Sequence, residues 1–242
     1  MSERIVITSG KGGVGKSSIT AGLACALQRR GHSVLVVDCD IGLSSLDIIL
    51  GAKSDMLFNW GDIICSRCSS DAALTETGYG PVLLCAPKRF EPEYTEQAMQ
   101  SLAQEYEERF DYIIFDSPTG LGTGFKLAAA AANKAIVVST PDEVCVRSAA
   151  AAADSLSEFG IAESRLIINR FERKATTKGK LLNVDDVIDS TRLRLIGVVP
   201  NDRNVMFNMC CGKPLPDKSS AAQAFKRIAG RMDGERVYLV IT

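Results

Sequence analysis

The chain of 242 residues has a formal net charge of −1, with 46% hydrophobic and 24% charged residues. We expect this length to form one large α/β domain over residues 1–242, with a well-buried core. The near-neutral charge gives no overall attraction to nucleic acid or to anionic membranes. The first residues lead directly into a strand-like run, and no apolar run approaches the ~20 residues of a membrane span. We therefore expect a cytoplasmic protein.

Short apolar runs rich in Val and Ile alternate with helix-like segments. The predicted strands are residues 4–8, 33–37, 82–86, 112–115, 135–139, 165–168 and 195–199, and the predicted helices include residues 17–30, 94–110, 144–159 and 220–232. Continuous apolar strands are typical of a sheet that is covered on both faces. The alternation predicts a doubly wound α/β fold, with a mostly parallel sheet of about seven or eight strands and ligands at the carboxyl ends of the strands.

The first strand runs into a glycine-rich stretch, residues 10–17, with the spacing G-x-x-x-x-G-K-S. This is the pattern of a phosphate-binding P-loop. Glycines allow successive N–H groups to approach phosphate oxygens, and the helix that follows adds its positive N-terminal end. Lys16 is predicted to reach the β- and γ-phosphates, and the Ser17 hydroxyl to take a magnesium position. The predicted nucleotide-binding residues of the loop are Gly12, Gly13, Val14, Gly15, Lys16, Ser17 and Ser18.

Acidic residues close two of the predicted strands. The second strand ends in Asp38-Cys39-Asp40, whose two carboxylates point the same way from an extended chain. The fourth predicted strand ends at Asp116, the Walker B arrangement, in which the carboxylate bonds a magnesium-bound water. Because carboxylates and hydroxyls are the hard oxygen ligands that magnesium prefers, we predict a metal site at Ser17, Asp38 and Asp116.

The sixth predicted strand ends in Asn169-Arg170. An asparagine amide can donate to and accept from the edge of adenine, and an arginine plane can stack on the base. We interpret both residues as nucleotide-binding, with a strand-end turn that binds nothing as the alternative.

Several motifs together resemble the MinD/ParA family of ATPases. Lys11 adds a second lysine to the loop, and the string KGGVGKS resembles the deviant Walker A motif of that family. Residues 34–47 resemble the switch I region of the MinD branch, residues 111–122 its Walker B segment, and residues 197–202 the segment that borders the adenine. The resemblance extends from residue 5 to about residue 232. Ser44-Ser45 stands where an Arg-Asn pair is expected in the best-known MinD branch.

The resemblance implies a magnesium-dependent ATPase that alternates between an ATP-bound homodimer and an ADP-bound or empty monomer. Its role would be the placement of the division septum, together with a division-inhibitor or activator protein. Lys11 would reach across the dimer to phosphates held by the partner subunit, and Asp40 would orient the attacking water. With Lys16, these are the expected catalytic residues, while Pro200 and Asp202 would border the adenine.

Two other functions remain as alternatives on the same fold. One is a ParA-type partition ATPase or a flagellar-placement ATPase, for which the basic stretch of residues 170–180 would contact DNA. We interpret that stretch as a solvated loop. The other is a metallocluster carrier built on Cys65 and Cys68, which have CxxC spacing, or on Cys210 and Cys211. We favour reduced thiols, because no histidine lies near these four residues in the sequence.

The C-terminal region departs from the MinD pattern. Residues 222–232 have one apolar face, which we interpret as the last packed helix of the domain rather than as a membrane-binding helix. Residues 237–242 have the composition of a strand and are interpreted as an added edge strand, a dimer contact or a tail. Peripheral attachment to the inner face of the cell membrane therefore stays open.

Overall fold

The computed structural model describes residues 2–52 and 57–241. Within these ranges, eight strands form one sheet in the order β3-β4-β2-β5-β1-β6-β7-β8. The strands are Glu3–Thr8 (β1), Val34–Asp38 (β2), Leu74–Glu76 (β3), Val82–Leu84 (β4), Tyr112–Asp116 (β5), Lys134–Ser139 (β6), Glu163–Phe171 (β7) and Arg194–Pro200 (β8). Neighbouring strands are parallel except β3 and β4, which pair antiparallel. The predicted fold class is confirmed.

Helices lie on both faces of the sheet. They are Lys16–Gln28 (α1), Leu46–Ile49 (α2), Trp60–Ile64 (α3), Glu96–Tyr106 (α4), Thr123–Ala131 (α5), Glu143–Ser157 (α6), Arg173–Thr177 (α7), Val184–Thr191 (α8) and Ser220–Met232 (α9). A 3₁₀ turn at Asp71–Ala73 and a π-helical turn at Val205–Met209 complete the described elements. Among the described residues, no helix is both long and apolar enough to cross a bilayer.

The apolar strands are buried because each face of the sheet has its own core. Successive side chains of β1 alternate between them: Ile5 and Ile7 join the core beneath α1 and α9, and Val6 joins the core beneath α4 and α5. At the centre of the sheet every residue of β2 and β5 is buried. The two faces therefore fix the register of the strands whose ends carry the acidic residues.

Helix α9 packs against α1 and β8, as the sequence predicts for the last helix of the domain. A Cβ atom at Gly22 would lie 2.3 Å from the ring of Phe225, so the two helices approach closely. Residues 237–241 form no strand and lie outside the sheet. The Arg231 guanidinium donates to the carbonyls of Ile196, Val237 and Tyr238, which holds the start of this tail beside β8. Thr242, the last residue of that predicted segment, lies outside the described residues.

Some elements were not predicted. Strand β3 is a short, polar edge strand whose sequence carries little strand signal. Helix α5 begins at Thr123 and includes Gly124, a residue with low helix propensity. A Cβ at Gly124 would lie 2.5 Å from Pro118, so this glycine is required for close packing. Tertiary contacts thus place Gly124 in a helix despite the low helix propensity of glycine.

Candidate functional site

The predicted site residues converge at the carboxyl ends of β1, β2 and β5. Strand β5 lies between β1 and β2, and the register pairs Asp38 with Asp116. The same register places Ile7, just before the P-loop, beside Asp116. The two acidic strand ends therefore flank the start of the glycine-rich loop, as the parallel sheet requires.

The glycines of the P-loop serve its backbone geometry. Gly13 and Gly15 have φ values of 79° and 94°, in the left-handed region that favours glycine. Gly10 lies against α6, where a Cβ atom would be 2.0 Å from the carbonyl oxygen of Ser148. The loop is therefore fixed between α1 and α6, and a side chain at these positions would displace it.

Lys16 opens α1 and is buried at 7% exposure. Its Nζ donates to Ser9 Oγ at 3.1 Å, and Ser9 Oγ donates to the Lys11 carbonyl at 2.8 Å. Burial lowers the pKa of Lys16, while the charges of Asp116 and Asp40 oppose that shift. Among the described residues Lys16 forms no direct ion pair, so its charge is available to an anion. Ser9 was not predicted as a site residue.

Asp116 is almost fully buried and accepts two hydroxyl hydrogen bonds. Ser17 Oγ donates at 2.6 Å and Thr20 Oγ1 at 2.8 Å. Burial, reinforced by the charge of Asp38, raises the pKa of Asp116 to about 7, although the two hydroxyls and Lys16 act in the opposite direction. Thr20 was not predicted. Its position one helical turn beyond Lys16 was the signal that could have identified it.

Asp38 is also buried, and the segment that follows β2 closes over its carboxylate. Ser44 Oγ donates at 2.8 Å and the Asp40 backbone N–H at 2.9 Å. Burial raises the pKa of Asp38, and these hydrogen bonds counteract the rise. Ser44, one of the two serines that depart from the MinD pattern, thus holds the buried carboxylate. Trp60 fixes the same strand end by donating from Nε1 to the Asp38 carbonyl at 2.8 Å.

The donor set suits a magnesium ion. The Ser17 hydroxyl and the carboxylates of Asp38 and Asp116 are all hard oxygen donors at one end of the sheet. Both carboxylates are at most 2% exposed, and burial raises the pKa of each. A divalent cation would favour their ionised forms, because opposite charge lowers the pKa of a carboxyl group.

Asp40 lies at the edge of the site and is partly exposed. Burial raises the pKa of its carboxyl, and the charge of Lys16 lowers it. An acceptor with partial access to solvent can hold a water molecule near the loop. This environment agrees with the predicted role of Asp40, which stays a prediction.

The predicted adenine-binding residues already have contacts within the protein. Asn169 Nδ2 donates to the Val14 carbonyl at 2.7 Å, so this buried amide fixes the P-loop. Arg170 is exposed, with φ at 53°. Asp202, two residues after Pro200, accepts from the Ala221 N–H at 3.0 Å near the start of α9. The sequence did not predict the hydrogen bonds of Asn169 and Asp202, because each joins residues that are not neighbours in the chain.

Lys11 is the exposed lysine of the loop. Its side chain makes no hydrogen bond or ion pair with the described residues; only its carbonyl accepts, from Ser9. Two loops and the first turn of α6 present apolar side chains to solvent, with Leu43 at 76% exposure, Leu121 at 38% and Val144, in α6, at 60%. An exposed cation with apolar neighbours is suited to contact with another protein surface.

Among the described residues, the four cysteines do not form the metal cluster that was considered as an alternative. Cys65 and Cys68 are half-buried, while Cys210 and Cys211 are exposed. Among the described residues, the only group of three side chains with metal-ligating atoms close together is Cys65, Glu91 and Glu93, with those atoms within 4.8 Å of one another. The Glu91 carboxylate of that group already forms an ion pair with Arg67.

Comparisons with known proteins give the same assignment as the site geometry. The ParA family model, described as "NUBPL iron-transfer P-loop NTPase", matches residues 1–233. The chain is 36% identical to the septum site-determining protein MinD of Synechocystis, with 98% of this chain and 91% of that protein covered. It is 35% identical to MinD of Bacillus subtilis, with 100% and 92% covered. The chain belongs to the ParA/MinD family of P-loop NTPases.

Solved structures of the family have the same fold. A chain of the MinC:MinD cell division protein complex of Aquifex aeolicus matches this structure with a TM-score of 0.90 and 32% identity, and 99% of each chain is covered. MinD of Pyrococcus horikoshii, solved with Mg-ADP, matches with a TM-score of 0.87, 27% identity and 96% of each chain covered. These relatives confirm the predicted family and ATPase class: the chain is a P-loop ATPase of the MinD type, a family that uses ATP or ADP and Mg²⁺.

Proposed function

We propose that this MinD-type ATPase acts in placement of the division septum as a switch between an ATP-bound homodimer and an ADP-bound or empty monomer. The observation that carries the proposal is the arrangement of two lysines in one loop. Lys16 is buried beside Asp116 and Asp40, whereas Lys11 is exposed and its ammonium forms no hydrogen bond or close ion pair with a described residue, although its charge acts on Asp142. One lysine thus serves the chain's own nucleotide, and the other is available to a second subunit.

Catalysis in this proposal is mainly electrostatic. Backbone N–H groups of residues 12–18 and the Lys16 ammonium bind the phosphates, and Asp40 orients a water for attack on the γ-phosphorus. Ser17, Asp38 and Asp116 would hold Mg²⁺, which supplies positive charge to the phosphate oxygens when bound. Asn169, Arg170, Pro200 and Asp202 are proposed to border the adenine.

Dimerisation would complete the site. We propose that two subunits join through the edge that carries Lys11, burying Leu43, Leu121 and Val144. Lys11 of each subunit then reaches the phosphates held by the other, which ties hydrolysis to association. The Aquifex relative was solved as a MinC:MinD complex. On that basis we propose a division-inhibitor protein as the partner of this chain.

We further propose a cytoplasmic protein that attaches peripherally to the inner face of the membrane in its ATP-bound state. The support is the family membership together with the exposed tail, in which Tyr238 is 91% and Leu239 45% exposed. Sedimentation with anionic vesicles in ATP, ADP and no nucleotide tests this step. ATP-dependent dimerisation without pelleting would leave a soluble switch located by its partner.

The decisive experiment measures ATPase rate per subunit against protein concentration. In the wild type the rate should rise with concentration, because active sites form on dimerisation. Lys11→Ala should bind ATP with wild-type affinity yet show a low rate at every concentration, with monomer mass in light scattering. Lys218→Ala, an exposed lysine outside the site, is the matched control. A Lys11→Ala variant as active as the wild type would disprove the contribution in trans.

Metal carriage is a second candidate, favoured by the description of the matching family model as an iron-transfer NTPase. Cys65 with Glu91 and Glu93 is the group of described residues that could hold an ion. Elemental analysis of the purified protein distinguishes the two functions. Stoichiometric iron or zinc that is lost in Cys65→Ser would favour carriage, whereas a protein that is fully active with Mg²⁺ and contains no iron or zinc would argue against it.

A further inference from the structure

A cavity of about 340 Å³ lies between α1, α9 and the loop of residues 209–217. Its lining is mainly apolar and includes Cys25, Ala26, Leu50, Leu215 and Phe225. None of the proposed nucleotide or magnesium ligands lines it. The cavity is therefore separate from the ATP site, although α1 contributes to both.

The cavity does not result from loose packing between α1 and α9. At Gly22 the two helices are so close that an added Cβ would lie 2.3 Å from the Phe225 ring. The open space lies beside this tight contact and is also lined by residues of the 209–217 loop. A volume of this size falls in the range of ~300–1,000 Å³ that small-molecule sites occupy.

The rim of the cavity carries an excess of positive charge. Arg29 is neutralised by Asp217, with 2.6 Å between Nη1 and Oδ1. Lys213 and Lys226 also line the cavity and are exposed, and neither forms an ion pair with a described residue. An apolar floor below two unpaired ammonium groups is complementary to a molecule with an apolar body and an anionic end.

We propose that this cavity binds a small amphiphile with an apolar chain and a single carboxylate. The chain would occupy the surface formed by α1, Leu215 and Phe225, displacing water from apolar area. The carboxylate would lie toward Lys213 and Lys226, at the solvent-accessible rim. The proposal does not depend on the role of the ATPase in cell division, because it concerns a different cavity.

Calorimetric titration of the full chain with decanoate, decanol and decyltrimethylammonium tests the proposal. Decanoate should bind saturably at one site, decanol more weakly, and the cation should show no saturable binding. The double variant Lys213→Glu/Lys226→Glu should weaken decanoate binding by roughly tenfold, because two rim cations become anions. Lys218→Glu, on an exposed lysine that does not line the cavity, should bind as the wild type does.

Alkylation of Cys25 gives an independent readout of where the probe binds. This thiol lines the cavity, and burial raises its pKa to about 11, so iodoacetamide should react slowly and faster as the pH rises. Decanoate should slow modification of the Cys25 peptide, as measured by mass spectrometry, and leave Cys210 and Cys211 unaffected. No saturable decanoate binding, equal binding of the cation, or binding without protection of Cys25 would overturn the proposal.

Discussion

Replacement of Asp116 by asparagine should stabilise the protein in the absence of nucleotide and metal. Asp116 is buried, lies opposite Asp38 in the sheet register, and has its pKa raised to about 7 by burial and by that neighbouring charge. Compared with its ordinary pKa of 3.8, this corresponds to about 4 kcal/mol against the ionised form. The asparagine side chain would be uncharged at every pH while keeping the size of the aspartate. At pH 8 we expect the variant to be about 2–4 kcal/mol more stable.

The pH dependence of this stability difference shows whether ionisation of Asp116 causes it. A carboxyl whose pKa is raised in the folded state holds its proton more tightly there than in the unfolded state. The free energy of unfolding therefore falls as the pH rises from 3.8 toward about 7. The stability difference between Asp116→Asn and the wild type should therefore shrink by about 2.5 kcal/mol between pH 8 and pH 5. Comparing the two proteins at each pH cancels the titration of the groups that do not interact with Asp116.

The assay is urea unfolding in a chelating buffer at several pH values. Glu163→Gln is the matched control, since the hydrogen bond from Arg165 and the charges of Lys134 and Arg165 lower the pKa of the Glu163 carboxyl. That variant should be less stable than the wild type at pH 8, and the difference should stay constant down to pH 5. An Asp116→Asn protein that is less stable than the wild type at pH 8, or whose difference does not change with pH, would refute the reasoning. Addition of Mg-ATP should stabilise the wild type more than the variant, because the variant lacks the proposed metal ligand.

Three further predictions concern the P-loop and its surroundings. Lys16→Ala should weaken nucleotide binding at least about 100-fold in equilibrium titration, since it removes charge-assisted hydrogen bonds worth ~3 kcal/mol or more. Asp40→Ala should still dimerise with ATP but hydrolyse it slowly in single-turnover assays, and an unchanged rate would exclude Asp40 as the water-orienting group. Gly10→Ala should lose about 1–3 kcal/mol of stability, because the new Cβ would collide with the Ser148 carbonyl. Gly12→Ala, whose Cβ would have an ordinary contact of 3.4 Å, is its control, and equal stability of the two would contradict the packing argument.

Much of the site could be predicted from sequence because each motif is local. Residues 10–17 carry the turn glycines, the lysine and the hydroxyl within one loop, and the acids stand directly at the ends of apolar strands. Parallel strands bring their carboxyl ends to one edge, so Asp38, Asp116 and Lys16 had to lie close together once the strands were predicted correctly. The alternation of apolar runs and helical segments was sufficient to predict the fold class.

Features that depend on distant residues were determined only by the tertiary structure. Asn169 was predicted to contact adenine, and its amide also donates to the carbonyl of Val14, 155 residues earlier in the chain. The start of α5 at Thr123 depends on Gly124 packing against Pro118, and the raised pKa of Asp116 depends on burial beside β2. The cavity between α1 and α9 likewise has no sequence signal. Residue type and spacing determine which chemical groups end each element, whereas burial and long-range hydrogen bonds arise only when the elements pack.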